Sequence, residues 1–440
     1  MKRYRILING FLGFLALLGV LFYAIPGRPT ISEKENRALA AKPKISFENF
    51  WSGKLTSDYT TYFSDNFPFR DQLISAANTL KTYTGTSGKD DIQIVYTDSS
   101  DDEAVSEDFD DDIYAEDPAQ EDNRQQDENK KDIKEEEIIP DVALDDGVTR
   151  NGLIVSGDTA LSIPGQTKKT IKIYAGMIND FADMYPDINV YCGVIPISSA
   201  FYLPKDFRSE KNDQRLMINN IYEMLDSNVA KLDLYSNLER HADEYIYLRT
   251  DHHWTGLGAY YAYEVFAKAI RQDPTLLSRY SPYTYENCLG TLYNKLGGNR
   301  AMRENPDYIT VYQIPFQYEA HYWRGTRSDD YYVRPLVATN IRSWNKYLAF
   351  TYGDHGVIDI TTPVKNGRKL IMFKDSFGNA FVPFLVSHFE KIYVIDPRYP
   401  TPSIKGIIED EHITDVLYLT NIGNTNVEYH VKALKRISSH

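Results

Sequence analysis

The hexapeptide Lys374-Asp375-Ser376-Phe377-Gly378-Asn379 lies between two apolar runs, Leu370-Ile371-Met372-Phe373 before it and Ala380-Phe381-Val382-Pro383-Phe384-Leu385 after it. The first run is short, which suits a buried strand. The second starts just past Gly378 and reads as a helix interrupted or kinked near Pro383, because proline lacks an amide hydrogen and clashes with the turn before it. A serine between a strand end and a helix start is well displayed for nucleophilic attack. Backbone amides at a helix start can also stabilise a developing oxyanion. The plain alternative is a serine that only caps the helix.

Working outward from Ser376, the candidate partner lies far upstream, in Asp251-His252-His253-Trp254-Thr255, within a chain of nine histidines. Asp251 and His253 are two residues apart, so they do not share a helical face and belong to an extended segment or turn. Thr255 is suited to cap a helix running from Gly256 to about Ile270. An aspartate that orients a histidine, and a histidine that activates Ser376, is the charge arrangement of a serine esterase. Asp251, His253 and Ser376 are therefore the candidate catalytic residues, with His252, Asp375 and Lys374 as candidate supporting residues. His252 also reads as an ordinary core histidine beside the other two. A metal site on Asp251, His252 and His253 is disfavoured, since alternating side chains diverge in an extended segment and no His-x-x-x-His or cysteine set accompanies them. No metal and no cofactor is expected.

The Asp-His-His-Trp string and the later Asp375-Ser376-Phe377 resemble the DHHW family, which is akin to the alginate O-acetylation proteins of the AlgX and AlgJ type. The resemblance implies an SGNH-hydrolase-like core that handles acetyl esters with an Asp-x-His pair and a serine, in that chain order. The pair falls on Asp251 and His253, followed by Trp254. The Gly-Asp-Ser string of those relatives falls on Lys374, Asp375 and Ser376. Lys374 replaces the glycine, and its bulk is expected to crowd the approach of an acetyl donor. The order is permuted relative to ordinary SGNH hydrolases, where the serine comes first. The strings Glu35-Asn36-Arg37 and Phe67-Pro68-Phe69-Arg70 resemble the N-terminal segment of AlgJ-like proteins. Polysaccharide or acetylated sugar is the implied substrate, with a membrane acetyl-donor protein as a candidate partner.

With 440 residues and 42% hydrophobic content, the chain can build one large domain or two modest ones around a sizeable core. The net charge of −14 is local: of 62 acidic and 48 basic residues, 19 and 4 fall between Asp98 and Glu137. The remainder is nearly neutral and carries no basic stripe for nucleic acid. The 34 tyrosines suit sugar binding, since each offers a flat face and a hydroxyl, but they are also ordinary packing material. Cys192 and Cys288 allow one disulfide, although Cys192 sits in an apolar run that equally suits a buried free thiol.

Residues 1–26 read as a signal anchor. The start Met1-Lys2-Arg3-Tyr4-Arg5 is basic, and Ile6 to Ile25 is uncharged and long enough to cross a bilayer. The basic flank predicts a cytoplasmic N-terminus and a single-pass protein of the cell membrane whose C-terminal domain is extracellular. Residues 27–97 form a charged stalk and an aromatic docking segment, with a strand from Ile92 to Tyr96. Residues 98–146 are acidic and poor in large apolar side chains, which predicts a disordered insert.

Residues 147–440 form the main domain. A strand and turn are expected at Gly152–Asp158, and strands at Asn189–Pro196, Ala230–Leu234, Tyr245–Leu248, Lys391–Ile395 and Val416–Leu419. Helices are expected at Ile171–Met184, Arg215–Leu225, Ser403–Glu411, capped by Ser403, and Tyr429–Ile437. This alternation predicts an α/β fold, a mostly parallel sheet with helices on both faces, with ligands beyond the strand C-termini. Asp251, Ser376 and Asp396 are placed at such ends. Leu289 to Phe350, rich in aromatic residues, reads as an antiparallel excursion or lid. Trp254, Tyr352, His355 and Arg398 are candidate substrate-binding residues. Arg398 equally suits pairing with Asp396, and Trp254 suits packing under its loop. Taken with the resemblance, these residues imply two alternative functions: a cell-surface serine-dependent O-acetyltransferase or acetylesterase, or a surface protein that binds and assembles polysaccharide without turnover.

Overall fold

A computed structural model describes residues 152–438 without a break, together with 31–32, 37–38, 93–96 and isolated positions between 42 and 67. The anchor run Ile6–Ile25, the acidic insert at 98–146 and most of the stalk lie outside the described residues. Among the described residues, no helix is long and apolar enough to cross a membrane.

The short strands β1 (Ile31–Ser32) and β2 (Arg37–Ala38) pair with each other. Strands β3 (Gln93–Tyr96), β4 (Gly152–Ser156) and β5 (Thr159–Ser162) form an antiparallel sheet of three. The boundary expected near Gly147 therefore leaves out a strand, since β3 joins the main body from before the acidic segment. Next come α1 (Lys168–Met184), β6 (Asn189–Ile195), α2 (Ser199–Tyr202), α3 (Gln214–Tyr222), β7 (Val229–Lys231), α4 (Leu234–Arg240) and α5 (Gly256–Ala269). The middle of the chain holds β8 (Ser281–Cys288), α6 (Thr291–Lys295), α7 (Arg300–Glu304), β9 (Asp307–Gln313), β10 (Glu319–Trp323) and β11 (Tyr331–Val333). The last part supplies β12 (Val357–Thr361), β13 (Lys369–Lys374), α8 (Gly378–Phe381), β14 (Lys391–Ile395), α9 (Ile404–Glu411), β15 (Asp415–Asn421) and α10 (Glu428–Ser438).

The central sheet has eight strands in the order β11-β10-β12-β14-β13-β15-β6-β7. From β14 to β7 the neighbours are parallel; β12, β10 and β11 are antiparallel. The expected mostly parallel sheet thus describes the side from β14 to β7, and an antiparallel wing completes the other side. The aromatic segment between Leu289 and Phe350 forms the antiparallel excursion and does not stand apart as a lid: it extends the sheet through β10 and β11, and its β9 pairs with β8 in a separate two-stranded sheet. It breaks the alternation of strand and helix, so the βα pattern did not place it.

The central strands are covered on both faces, and they accordingly read as continuous apolar runs. Leu370 to Phe373 and Val416 to Leu419 are all essentially inaccessible. Phe181 of α1 meets Tyr418, whereas Phe266 of α5 meets Tyr191. Tyr191 stands opposite Leu417 in register, so it points away from the face that carries Tyr418. Helices therefore lie on both faces. Helix α1 buries Ile171, Tyr174, Ala175, Ile178, Phe181 and Ala182, a stripe at helical spacing, and Thr167 caps its start by accepting from the Thr170 N–H.

Four local expectations change. Strand β7 stops at Lys231, because Asp233 accepts from the Ser236 N–H and starts α4 at Leu234. Tyr245–Leu248 is not a strand; only a bridge between Tyr247 and Trp254 forms there. Asp251 therefore sits in a loop and not at a strand end. Ser403 precedes α9 without a side-chain cap bond. The helix expected after Gly378 is a four-residue α8 that passes into a 3-10 turn at Val382–Ser387, where Pro383 stands. Cys192 and Cys288 are both buried free thiols, and burial pushes the Cys192 thiol up to about 12.

His388, buried at the end of that 3-10 turn, gives the fold an acid-sensitive point. Its Nδ1 is 2.7 Å from Gln272 Oε1 and its Nε2 is 2.6 Å from Tyr263 Oη. Burial, and then the nearby Arg368, lower its pKa to about 4. The unfolded chain takes up this proton near pH 6.5, so its stabilising effect is complete above that pH and is lost as pH falls from 6.5 towards 4. Urea unfolding of His388→Gln is expected to lose less stability than wild type between pH 7 and pH 4.5, by on the order of 2–3 kcal/mol. Equal losses in the two proteins would show that this histidine is not held neutral by the fold.

Candidate active site

Ser376 stands just past the C-terminal end of β13, in a turn tied down by its neighbour Asp375. Asp375 Oδ1 accepts from the Phe377 N–H at 3.0 Å. Its Oδ2 accepts from the Asn421 N–H at 2.7 Å, from Asn421 Nδ2 at 2.8 Å and from Asn424 Nδ2 at 3.0 Å. The serine turn is thereby knotted to the end of β15. The Gly378 N–H donates to Asp375 O and the Asn379 N–H to Ser376 O. The amides expected to serve an oxyanion are thus largely committed to the turn itself. The Ser376 N–H is engaged by none of these bonds.

The Asp251 loop lacks regular structure and is held from β9 instead. Asp307, at the start of β9, accepts from the Arg249 N–H at 3.1 Å, the Thr250 N–H at 2.8 Å, and the Thr250 and Tyr245 hydroxyls at 2.5 Å each. Gly290 lies against this loop so closely that a Cβ there would press into the Asp251 side chain and the Thr250 carbonyl. The next residue, Thr291, donates its N–H at 2.7 Å and its hydroxyl at 3.0 Å to Asp251 Oδ2.

Asp251 Oδ1 accepts from the His253 N–H at 3.1 Å and pairs with His253 Nδ1 at 2.7 Å. On the far side of the ring, His253 Nε2 is 2.8 Å from Ser376 Oγ. Burial would raise the Asp251 pKa, but His252, His253 and the Thr291 N–H together hold it well below the usual carboxylate range. A carboxylate fixed in its charged form keeps the imidazole proton on Nδ1, which leaves Nε2 as the acceptor facing Ser376. Aromatic rings crowd the imidazole: Tyr347 is stacked on it at 3.9 Å and 11°, His252 is tilted over it at 3.8 Å, and Phe377 stands at 5.0 Å. Thr255 caps α5 by accepting from the Gly258 N–H, which fixes the loop's exit.

His252 remains partly exposed, with Nδ1 2.9 Å from the Thr291 hydroxyl. Desolvation and then the adjacent His253 lower its pKa. Asp251, His252 and His253 bring ligand-type atoms within 4.8 Å of one another. Both Asp251 oxygens are already used by His253 and Thr291, and His253 Nε2 faces Ser376, so the cluster is built as a hydrogen-bond relay.

The structure places the other candidates in packing and ion pairs. Trp254 is fully buried and donates from Nε1 to Phe377 O at 2.9 Å, which locks the histidine loop to the serine turn. It supports the site from beneath and is not available to substrate. Tyr352 and His355 are buried around Tyr322 in the antiparallel wing. Arg398 pairs with Asp396 and with Asp354 Oδ2 at 2.6 Å, so of its two expected roles the structure shows the ion pair. Lys374 is wholly buried, with Nζ 2.8 Å from Asp354 Oδ1 and 3.0 Å from Asp396 Oδ2. Shut inside among these carboxylates, it presents no exposed bulk to an incoming donor, contrary to the crowding expected of it. Thr291, Asp307, Asp354, Asn421 and Tyr347 went unread in the sequence, since each reaches the site from a distant segment with no local pattern to mark it.

The DHHW protein-family model matches residues 35–395. The chain belongs to the DHHW family. A DHHW family protein from Eubacterium siraeum is 34% identical, with a TM-score of 0.59, over 66% of this chain and 97% of its own. Bacillus cereus PatB1, in a structure with a sulfonyl adduct, is 20% identical with a TM-score of 0.50, over 62% of this chain and 95% of that one. That likeness shows a shared fold. The O-acetyltransferase domain of Pseudomonas putida AlgJ is 13% identical with a TM-score of 0.35, over 61% of this chain and 91% of its own. No curated protein matches the chain.

The ion network behind Ser376 can be tested directly. Lys374→Met leaves Asp354 and Asp396 buried without their shared ammonium. Removing one partner of a buried pair costs about 3–5 kcal/mol. Urea denaturation is expected to show a loss of that order, and an unchanged midpoint would mean that the network does not hold the turn.

Proposed function

We propose that this DHHW protein is a serine-dependent acetyl-transferring enzyme with an SGNH-hydrolase-like core, acting on an exported polysaccharide. The observation that carries the reading is the continuous chain Asp251 Oδ1–His253 Nδ1 at 2.7 Å and His253 Nε2–Ser376 Oγ at 2.8 Å. Both distances lie within the range a nucleophile and its base need. Ser376 Oγ attacks the acetyl carbonyl carbon while its proton passes to His253 Nε2. The imidazolium is balanced by the Asp251 carboxylate. The Ser376 N–H is the amide of the turn left to meet the oxyanion. Collapse of the tetrahedral adduct breaks the bond to the departing oxygen, which takes the proton back from His253. Acetyl-Ser376 then passes its acetyl group to water or to a sugar hydroxyl, and His253 again moves the proton. A membrane acetyl-donor protein would supply the acetyl group.

The same reading places the protein at the cell membrane, tethered by Ile6–Ile25 with its C-terminal domain outside. The basic N-terminal flank and the length of the apolar run support this. Fractionation that recovers the full chain as a soluble cytoplasmic protein would remove the tether.

Turnover is tested with an aryl acetate and with acetylated oligosaccharides, alongside mass spectrometry of the peptide carrying Ser376. Ser376→Ala is expected to abolish turnover with the fold intact. His253→Ala and Asp251→Asn are expected to lower kcat by on the order of 10^3–10^4-fold, as loss of the base or its correct tautomer does. His252→Ala is expected to be milder. Wild-type protein that binds oligosaccharide but forms no acetyl-Ser376 with any of several donors would instead be a non-catalytic binding or assembly protein.

A further inference from the structure

We propose that Tyr347 is a positioning residue for His253, holding the ring plane and stabilising the imidazolium that forms when Ser376 gives up its proton. The inference rests on the serine mechanism proposed above. Asp251 grips the imidazole at Nδ1 and Ser376 meets it at Nε2, two contacts in the ring plane that do not stop the ring turning about the line between them. The flat face of Tyr347, 3.9 Å away and within 11° of parallel, removes this freedom.

Tyr347 is itself well fixed. It lies in the 3-10 turn Lys346–Ala349, its N–H donates to Asn345 Oδ1 at 3.1 Å, and Phe350 packs edge-on against its ring at 5.1 Å. It is buried, and its hydroxyl has no partner in hydrogen-bond geometry among the described residues, with the Trp254 indole acting on it from farther off. What this side chain offers His253 is therefore the face of the ring. That face carries the negative part of the ring quadrupole, which attracts a cation far more than a neutral ring. The contact is accordingly stronger once His253 is charged, which is the condition under which binding energy lowers a barrier.

The other groups facing His253 fit this assignment. Asp251 balances the charge at Nδ1, Ser376 faces Nε2, and Phe377 offers a second apolar ring. His252, on the same loop, has a lowered pKa and adds no competing positive charge at neutral pH. Asp354 and Asp375 act on Tyr347 from farther off, and Lys295 acts on His252.

The test uses the full chain in detergent and compares wild type with Tyr347→Phe, Tyr347→Leu and Tyr347→trifluorophenylalanine. The last keeps the shape of Tyr347→Phe but weakens the ring face, so it answers the question even if the leucine variant fails to fold. Two readouts are taken: the pH dependence of kcat on an aryl acetate, and the His253 ring titration followed by NMR. Tyr347→Phe is expected to stay within about twofold of wild type, because it keeps the ring face. In Tyr347→Leu the acid limb and the His253 titration are expected to move down by about 0.5–1 pH unit, with kcat lower by about three- to tenfold and KM little changed. The trifluoro variant should fall between. Leucine and trifluoro variants that titrate like wild type would overturn the assignment. A wild-type protein that turns over no acetyl ester would instead count against the proposed function, since the NMR shift is read without turnover.

Discussion

Two cations and two carboxylates meet in the protein interior just behind the Ser376 turn. Lys374 ends β13, Asp396 and Arg398 follow β14, and Asp354 stands just before β12. Asn379, from α8, adds a hydrogen bond to Asp354 at 2.8 Å. Burial by itself would strip Lys374 of its proton, but the two carboxylates hold its pKa above the ordinary lysine value. Burial would likewise neutralise Asp354, and Arg398 with Lys374 keeps it ionised. Each charge is tolerable inside because the others are there, a mutual dependence that favours one arrangement of the strand ends over many. The nucleophile turn inherits its position from that arrangement. Lys374 is thus part of the scaffold.

The histidine half of the site is built by other means. No strand carries Asp251, and its loop is fixed by hydrogen bonds from Asp307 and Thr291 and by the indole of Trp254. The Tyr347 segment then joins the two halves within a few residues. Thr351, Tyr352 and Gly353 are consecutive left-handed positions, with φ of 53°, 57° and 92°. For residues other than glycine this geometry costs about 1–2 kcal/mol each. The Thr351 hydroxyl lies 2.8 Å from Phe350 O and 3.0 Å from Gly353 O, and its N–H bonds to Leu336 O, which offsets part of the strain. The tight bend brings the chain from Tyr347, beside His253, to Asp354, behind Ser376.

The sequence was legible where chemistry and periodicity are local. The apolar runs at Leu370–Phe373 and Val416–Leu419 announced buried parallel strands because both faces are covered. Thr255 announced its helix because a cap acts on residues three positions away. Asp251, His253 and Ser376 stood out by residue type and order, and the structure brings them together. What could not be read depends on contacts across long separations. Asp307 reaches the Thr250 amide, and Thr291 reaches Asp251, from segments that carry no mark of that task. The antiparallel wing was hidden for a related reason: β10 pairs with β12, and β11 with β10, only after the chain has left the strand–helix alternation. Tyr245–Leu248 looked like a strand by composition, but no partner strand lies beside it beyond one bridge, and apolar character alone does not supply a ladder.

The pairing of β3 with β4 has a topological consequence. Tyr96 stands opposite Gly152, so the two ends of the intervening segment are held one strand spacing apart, about 4.8 Å. Such a segment spans no distance, whatever its contour length. Closing a longer loop costs only about 0.6 kcal/mol for each doubling of its length. The position between β3 and β4 is therefore a port in the fold: sequence can be added, removed or exchanged there, up to a whole folded domain, while the sheet that receives it and the serine site continue to see the same two fixed ends.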